Sequence, residues 1–326
     1  MKKIIITIFA IVIIIVCSIL FATRNKNENN KLVVAEVTHS VFYAPWYVAL
    51  ENGYFEEEDL DIEVMLTPGA DKVATSVLSG DANIGFSGPE ATIYVYNNSK
   101  EKLLTFASLT KRDGQFIIGD CSLKDTFTMN DLIGKTILAG RSGGMPLMMF
   151  EYALKESNID KKDVKINTSI EFAGLTGAYI GKEGDFVNLF EPNAIALEKE
   201  NYGCVLASLG NISGIVPYTT FYAKEEFINN NKDKIQKFNN ALNKGIKFVH
   251  ENDSKTIAIS IINQFPDTSL EDLTKIIERY KNADSWYTDT YVNADDYNRL
   301  VDIMIYGGSI EKKVTIENLL TNEFNK

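Results

Sequence analysis

Histidine and cysteine are scarce in this chain of 326 residues, which holds two of the first and three of the second. No HExxH or CxxC spacing occurs, so a catalytic zinc has no ligand set. Phosphate-binding signatures are missing too. No GxGxxG follows the first strand, and Gly134-Lys135-Thr136 fails as a Walker A loop because Met129 stands where the first glycine belongs. Nothing in the sequence calls for a cofactor or a metal. Basic residues are in deficit, 33 Lys and Arg against 44 Asp and Glu, for a net charge of −11. Residues 1–31 carry five basic groups and one acid, a net +4, which leaves −15 for the body. A body so charged repels phosphate backbones and excludes nucleic acid as a partner. Solenoid-period repeats and internal low-complexity linkers are also lacking. What remains is ordinary globular composition, 45% apolar and 24% charged, at a length that suits two domains or lobes.

Charge is absent altogether from residues 4–22, directly after Lys2 and Lys3. As a helix this run rises about 28 Å, close to a bilayer core and longer than the apolar part of an ordinary signal peptide. The basic flank stays cytoplasmic and the body goes outside. Residues 23–31 then read as a polar tether. Cys17 opens a second reading, a lipidated cysteine of the bacterial lipoprotein type, although Val16 stands where that pattern wants a small residue. Both readings put the protein at the outer face of the cytoplasmic membrane. Cys121 and Cys204 lie in or beside apolar segments. They read as buried free thiols, with pairing as the alternative.

The body alternates strand and helix patterns. Strands are predicted at 32–37, 61–66, 83–86, 102–109, 115–119, 135–139, 164–168, 185–189, 203–206 and 217–223. Helices fall between them at 45–52, 70–80, 89–97, 145–157, 173–181 and 191–200. This order predicts an α/β fold with parallel sheets covered by helices. Beyond residue 224 apolar positions recur at helical spacing in 233–250, 254–264, 270–281 and 294–306, with Pro266 as a breaker.

Five segments in order carry a family resemblance: VFYAPWYVALENGYFEEEDLDIE (41–63), SGDANIGFSG (79–88), DLIGKTILAG (131–140), GDFVNLFEP (184–192) and ALNKGIKFV (241–249). The set resembles solute-binding proteins of ABC importers, in the branch that includes nitrate, sulfonate, taurine and thiamine-pyrimidine-precursor binders. The resemblance implies a two-lobed type II periplasmic-binding-protein-like fold, a Venus flytrap, preceded here by the N-terminal hydrophobic helix. Lobe one would hold 32–113 and 217–326, lobe two 114–216, with crossings near Asp113 and Val216. It implies a small-molecule solute, pyrimidine-like or sulfonate- or nitrate-like, and an ABC permease with a cytoplasmic ATPase as partner. The chain is expected to act as a monomer without covalent chemistry.

Open α/β sheets bind ligands at the carboxyl ends of their strands. The first such loop offers His39, Tyr43 and Trp46, rings suited to a flat ligand, although Trp46 and Tyr47 equally suit packing of the helix onto the sheet. The second offers Ser87, Gly88 and Glu90 at a helix start with Pro89 in its first turn, where amides and a hydroxyl hold a polar group. The third is Gly140-Arg141-Ser142-Gly143-Gly144, where glycine lets backbone approach a ligand and Arg141 suits an oxyanion. Glu191 is the fourth, either a ligand carboxylate or a helix-start acid. Gly140 to Gly144 also matches GxSxG, a nucleophile elbow between strand and helix. A serine hydrolase with Ser142 and His250 is therefore the rival from another class. No HGGG-type oxyanion segment precedes the loop, and His250 falls at the end of an amphipathic helix. A solute sensor without transport would share the binding chemistry.

Overall fold

The structure is a computed structural model describing residues 30–140 and 142–325. The predicted membrane segment 4–22, Cys17 and Arg141 lie outside the described residues. Among the described residues no helix is long and apolar enough to cross a membrane.

Ten strands form two five-stranded sheets. They are β1 (Lys31–Glu36), β2 (Asp61–Leu66), β3 (Ile84–Ser87), β4 (Leu103–Thr110), β5 (Phe116–Gly119), β6 (Thr136–Leu138), β7 (Lys165–Asn167), β8 (Phe186–Leu189), β9 (Cys204–Ser208) and β10 (Thr219–Lys224). Sheet one has the order β2-β1-β3-β10-β4 and sheet two the order β7-β6-β8-β5-β9. Within each sheet three strands run parallel, joined by helical crossovers. β10 is antiparallel to β3 and β4, and β5 is antiparallel to β8 and β9. Both exceptions follow a passage of the chain from one sheet to the other, and each crossing strand sits fourth in its sheet. The central strands β3, β5 and β8 are buried along their whole length, which is why they read as short apolar runs.

All ten predicted strands are present, as are the predicted helices. Three short helices went unpredicted, Tyr54–Glu57, Leu209–Ser213 and Glu225–Asn230. The helix Ser254–Ile261 gives way to a 3-10 turn, Ile262–Gln264, before Pro266. The amphipathic helices Lys232–Glu251 and Leu270–Asn282 bury Phe238, Leu242, Ile276 and Tyr280. The main core is aromatic. Phe86 stacks on Phe221 at 4.1 Å, and the Trp46 ring meets Phe55, Phe86, Phe221 and Phe238 at 5.2 to 5.9 Å. A second core in sheet two gathers Ile117, Ile137, Phe150 and Phe186.

The cysteine expectation was wrong. Cys121 and Cys204 form a disulfide, with Cα atoms 4.8 Å apart and a sequence separation of 83. Cys121 is exposed and Cys204 half-buried, so neither is a core thiol. The cause is register: β5 places Gly119 opposite Cys204, which delivers Cys121 to the start of the edge strand β9. Chain from residue 30 onwards, denatured without reductant, should yield no titratable thiol. Replacing both cysteines by serine should cost about 2–4 kcal/mol in chemical denaturation, the usual worth of closing a long loop. Free thiols in the unreduced protein would refute the cross-link.

Candidate functional site

Four loops leave the carboxyl ends of parallel strands and converge between the sheets. Beyond β1, Ser40 caps a 3-10 turn, Val41–Tyr43, its Oγ accepting from Phe42 N at 3.3 Å, and the helix Ala44–Glu51 follows. Beyond β3, Gly88 and Pro89 open the helix Glu90–Asn98. Beyond β6, Gly140 and Gly143 take φ of +85° and +84°, which only glycine adopts freely, and lead into the helix Met145–Glu156. Beyond β8, Phe190 and Glu191 precede a cis Pro192 and the helix Asn193–Lys199.

Contacts close the cleft between them. Ser40 Oγ donates to Glu191 O at 3.3 Å, Tyr94 Oη donates to Gly143 O at 3.1 Å, and the Phe42 ring lies 5.6 Å from Phe190. At one rim Arg279 donates Nη1 to Glu191 Oε1 at 2.5 Å and Nη2 to Glu198, while Lys199 Nζ reaches Asp272 Oδ2 at 2.6 Å. At the other, Arg299 donates to Ser213 O at 2.8 Å and to Ile215 O at 3.1 Å. Two surface grooves of about 490 and 550 Å³ lie elsewhere, one along Asp120, Tyr179 and Tyr202 on the second sheet's side, the other along Tyr94, Asn98 and Ser309 beside the Gly-rich loop.

The described ligand candidates fall into four groups. Tyr43, Gly88, Glu90 and Glu191 face the junction of the two sheets. Tyr43 is buried, its ring 4.5 Å from Phe86, and burial pushes its hydroxyl well up. Glu90 is 2% exposed and packs against Gly88, where an added Cβ would meet its Oε2 at 2.0 Å and Met145 Cγ at 2.8 Å. Glu191 is 1% exposed, and its second oxygen accepts from Ile195 N at 2.8 Å. Its carboxylate therefore both caps a helix start and clasps Arg279. Ser87 turns inward, its hydroxyl 2.8 Å from Tyr222 Oη. Ser142 and Gly143 are exposed and Gly144 half-buried at the mouth of the Gly-rich loop.

Trp46 and His39 sit elsewhere. Trp46 is fully buried in the aromatic core, because the first turn of its helix points at β10 and the helix Lys232–Glu251. His39 turns away from the cleft. Its Nδ1 is 3.0 Å from Tyr47 Oη, its Nε2 is 2.8 Å from Gln264 O, and its ring lies 4.9 Å from Phe265. Buried Glu36, which also accepts from Tyr47, raises the imidazole above its usual value against partial burial. The hydrolase pairing gains nothing from the geometry: His250 Nε2 is 2.9 Å from Tyr287 O, on the sheet-one side of the molecule.

Sequence reasoning overlooked several buried polar residues. Asp113, on the first crossing segment, is 1% exposed, and its Oδ1 accepts from Gln115 N at 2.7 Å. Burial pushes its carboxyl well up, so the group costs stability as pH rises past the ordinary carboxylate range. Tyr218 lies beside Asp113 and is likewise pushed up, by burial and then by Asp113. Asn188 interrupts the apolar run of β8. It is a lone polar residue in a buried strand, and that signal was open to reading.

Residues 41–256 match the family model described as NMT1/THI5 like. The Bacillus subtilis (strain 168) protein named "Putative binding protein YtlA" is 39% identical over 306 residues, covering 93% of this chain and 91% of that one. Among solved structures, the alkanesulfonate-binding protein SsuA from Xanthomonas axonopodis pv. citri aligns with a TM-score of 0.71 at 14% identity, over 90% of this chain and 98% of the other. The periplasmic nitrate-binding protein NrtA from Synechocystis PCC 6803 aligns at 0.62 and 13%, over 82% and 74%. At those identities the two structures speak to the fold, which is that of periplasmic binding proteins. With its family model covering most of the body, and a relative matched over nearly its whole length, the chain belongs to the NMT1/THI5-like family.

Proposed function

We propose that this chain is the extracytoplasmic solute-binding component of an ABC importer. It captures a small organic solute between two lobes, 32–113 with 217–326 and 114–216, and delivers it to a permease driven by a cytoplasmic ATPase. The observation that carries this reading is the convergence of strand-end loops from both sheets on one cleft, bridged by Ser40 to Glu191 and Arg279 to Glu191. Ligand contacts on both lobes favour the closed form over the open one, and that differential is all the work required. The body acts as a monomer. Residues 4–22, or a lipid on Cys17, tether it at the outer membrane face and keep it near its permease.

The solute class is pyrimidine-like or sulfonate- or nitrate-like, and the charges favour the first. Glu90 and Glu191 are buried at or beside the cleft, and Arg279 is already shared by two carboxylates. Buried carboxyls suit a ligand with N–H donors and oppose an anion.

Thermal-shift screening of pyrimidines, alkanesulfonates, nitrate and amino acids should find its stabilising compounds among the nitrogen-bearing rings. Stabilisation by none of these classes would argue against solute capture. Arg279→Gln should strip the cation from a carboxylate buried on closure, a cost of about 3 kcal/mol that opening the lobes relieves. Small-angle scattering of the ligand-free variant should then give a larger radius of gyration than the native chain. An unchanged radius would show that the clasp does not hold the lobes. Full-length protein should sediment with membranes, whereas chain from residue 30 onwards should not. Full-length protein found soluble with residues 1–22 intact would exclude the tether.

A further inference from the structure

His39, Tyr47 and Glu36 join in one chain of contacts at the carboxyl end of β1. The imidazole Nε2 lies 2.8 Å from Gln264 O, and Nδ1 lies 3.0 Å from Tyr47 Oη. Tyr47 Oη in turn meets Glu36 Oε1, and Nδ1 stands 3.6 Å from Glu36 Oε2. Glu36 and Tyr47 are each 1% exposed, whereas the His39 side chain is 37% exposed, so the chain is buried at one end and open to solvent at the other. The elements packed against it bring no positive charge to it. Tyr43 lies near Glu36, Phe265 flanks the rings of both His39 and Tyr47, and Glu51 holds the side chains of Asn263 and Gln264. Among the described residues, His39 is the one basic side chain paired with Glu36.

Each hydrogen bond needs a proton of its own, and neutral partners here fall one short. Gln264 O can only accept, so Nε2 carries a proton. The contact of Nδ1 with Tyr47 and the contact of Tyr47 with Glu36 each need another. A neutral imidazole beside an ionised carboxylate leaves only the phenol proton for the two of them. One contact would then set lone pair against lone pair, a costly arrangement where the groups are buried. A third proton satisfies all three contacts: as an imidazolium, His39 donates Nδ1–H to Tyr47 Oη, which donates to Glu36. Ser40 N, 3.4 Å from the same phenol oxygen, also uses it as an acceptor. The hydrogen-bonded carboxylate of Glu36 raises the imidazole in the same sense, against partial burial.

We propose that this network is a proton switch on closure: holding its third proton it fixes the Ser40 loop against Glu191, and losing that proton it lets the loop go. The inference rests on the two-lobed solute-binding reading above and supplies its regulation. Ser40 follows His39 directly. Its N donates to Tyr47 Oη, while its Oγ donates to Glu191 O, beyond β8, at 3.3 Å. One phenol therefore ties the proton to the loop that bridges the two sheets. The imidazole's shift is upward, so the network's contribution is complete below the ordinary 6.5 and is lost as pH rises through the higher value. Closure is favoured in mildly acid surroundings and relaxed in alkaline ones.

The test takes full-length, solute-free protein between about pH 6 and about pH 9, in native form and as His39→Gln, Glu36→Gln and His250→Gln. Deuterium exchange at the histidine C2 position, read by mass spectrometry, should give His39 a titration midpoint above the ordinary 6.5, and Glu36→Gln should lower it. Small-angle scattering in contrast-matched detergent should give native protein a larger radius of gyration at the higher pH. His250→Gln should keep that expansion and His39→Gln should lose most of it. Asp113 and Glu191 are pushed up by burial and also disfavour the folded form as pH rises. His39→Gln retains both, so the difference between it and native protein isolates the network. A His39 midpoint at or below 6.5, a midpoint that Glu36→Gln leaves in place, or a radius that answers pH equally in native protein and His39→Gln overturns the proposal. No solute enters these measurements, so their failure leaves solute capture standing, and a fruitless solute screen would not imitate it.

Discussion

Hydrogen bonds between the two crossing segments, from Val216 N to Lys111 O at 3.0 Å and from Tyr218 N to Thr110 O at 2.9 Å, fix both sheets at once. Each segment feeds the antiparallel strand of the sheet it enters, β5 in one direction and β10 in the other. With that pair in place, Asp113, Gln115 and Tyr218 are held buried at the crossings. Packing at the crossings is tight. A Cβ at Gly114 would meet the Phe42 ring at 2.6 Å, and one at Gly210 would meet Asp113 O at 2.3 Å. The aromatic loop of sheet one is thus seated on the very segment that leaves it.

Much of the scaffold was legible in the residues because burial wrote it there. Strands covered on both faces appear as short apolar runs such as 116–119 and 186–189. The late helices show their apolar stripe, and their starts carry side-chain caps at Asp253, Ser269 and Asn293. Side-chain direction was far less legible. His39, Tyr43 and Trp46 belong to one aromatic loop, yet one bonds the Gln264 carbonyl, one packs on Phe86 and one enters the core among Phe55, Phe221 and Phe238. The rotation of a 3-10 turn and the helix behind it decides among them, and no periodicity reports that rotation. Pairs separated by long stretches of chain were hidden for a related reason. Cys121 with Cys204, and Glu191 with Arg279, meet only through sheet register and helix docking. Asn188 was visible as a polar intruder in β8, but that its amide is left unpartnered was not.

Electrostatics bears on the solute charge proposed for this cleft. Helix starts at Glu90 and Met145 supply the backbone amides that anions favour. The first of these carries its own carboxylate, buried against Gly88 and Met145. An acid in the first turn already answers the positive end of the helix, so less of that field is left for a ligand. Fold and ligand charge are thereby uncoupled: the same strand-end architecture serves either sign according to what the first helical residue brings.

The nesting of one sheet inside the other also sets the order in which the chain can be completed. Sheet two is built from a continuous stretch, 116–208, and has all its strands before β10 has been made. During synthesis β3 and β4 must wait with a strand-wide gap between them, exposing the edges that β10 will later fill at Phe86 and Ala107. Unpaired edges of that kind recruit foreign strands. The hazard of this topology therefore falls on its N-terminal half, during the interval before residues 219–224 arrive.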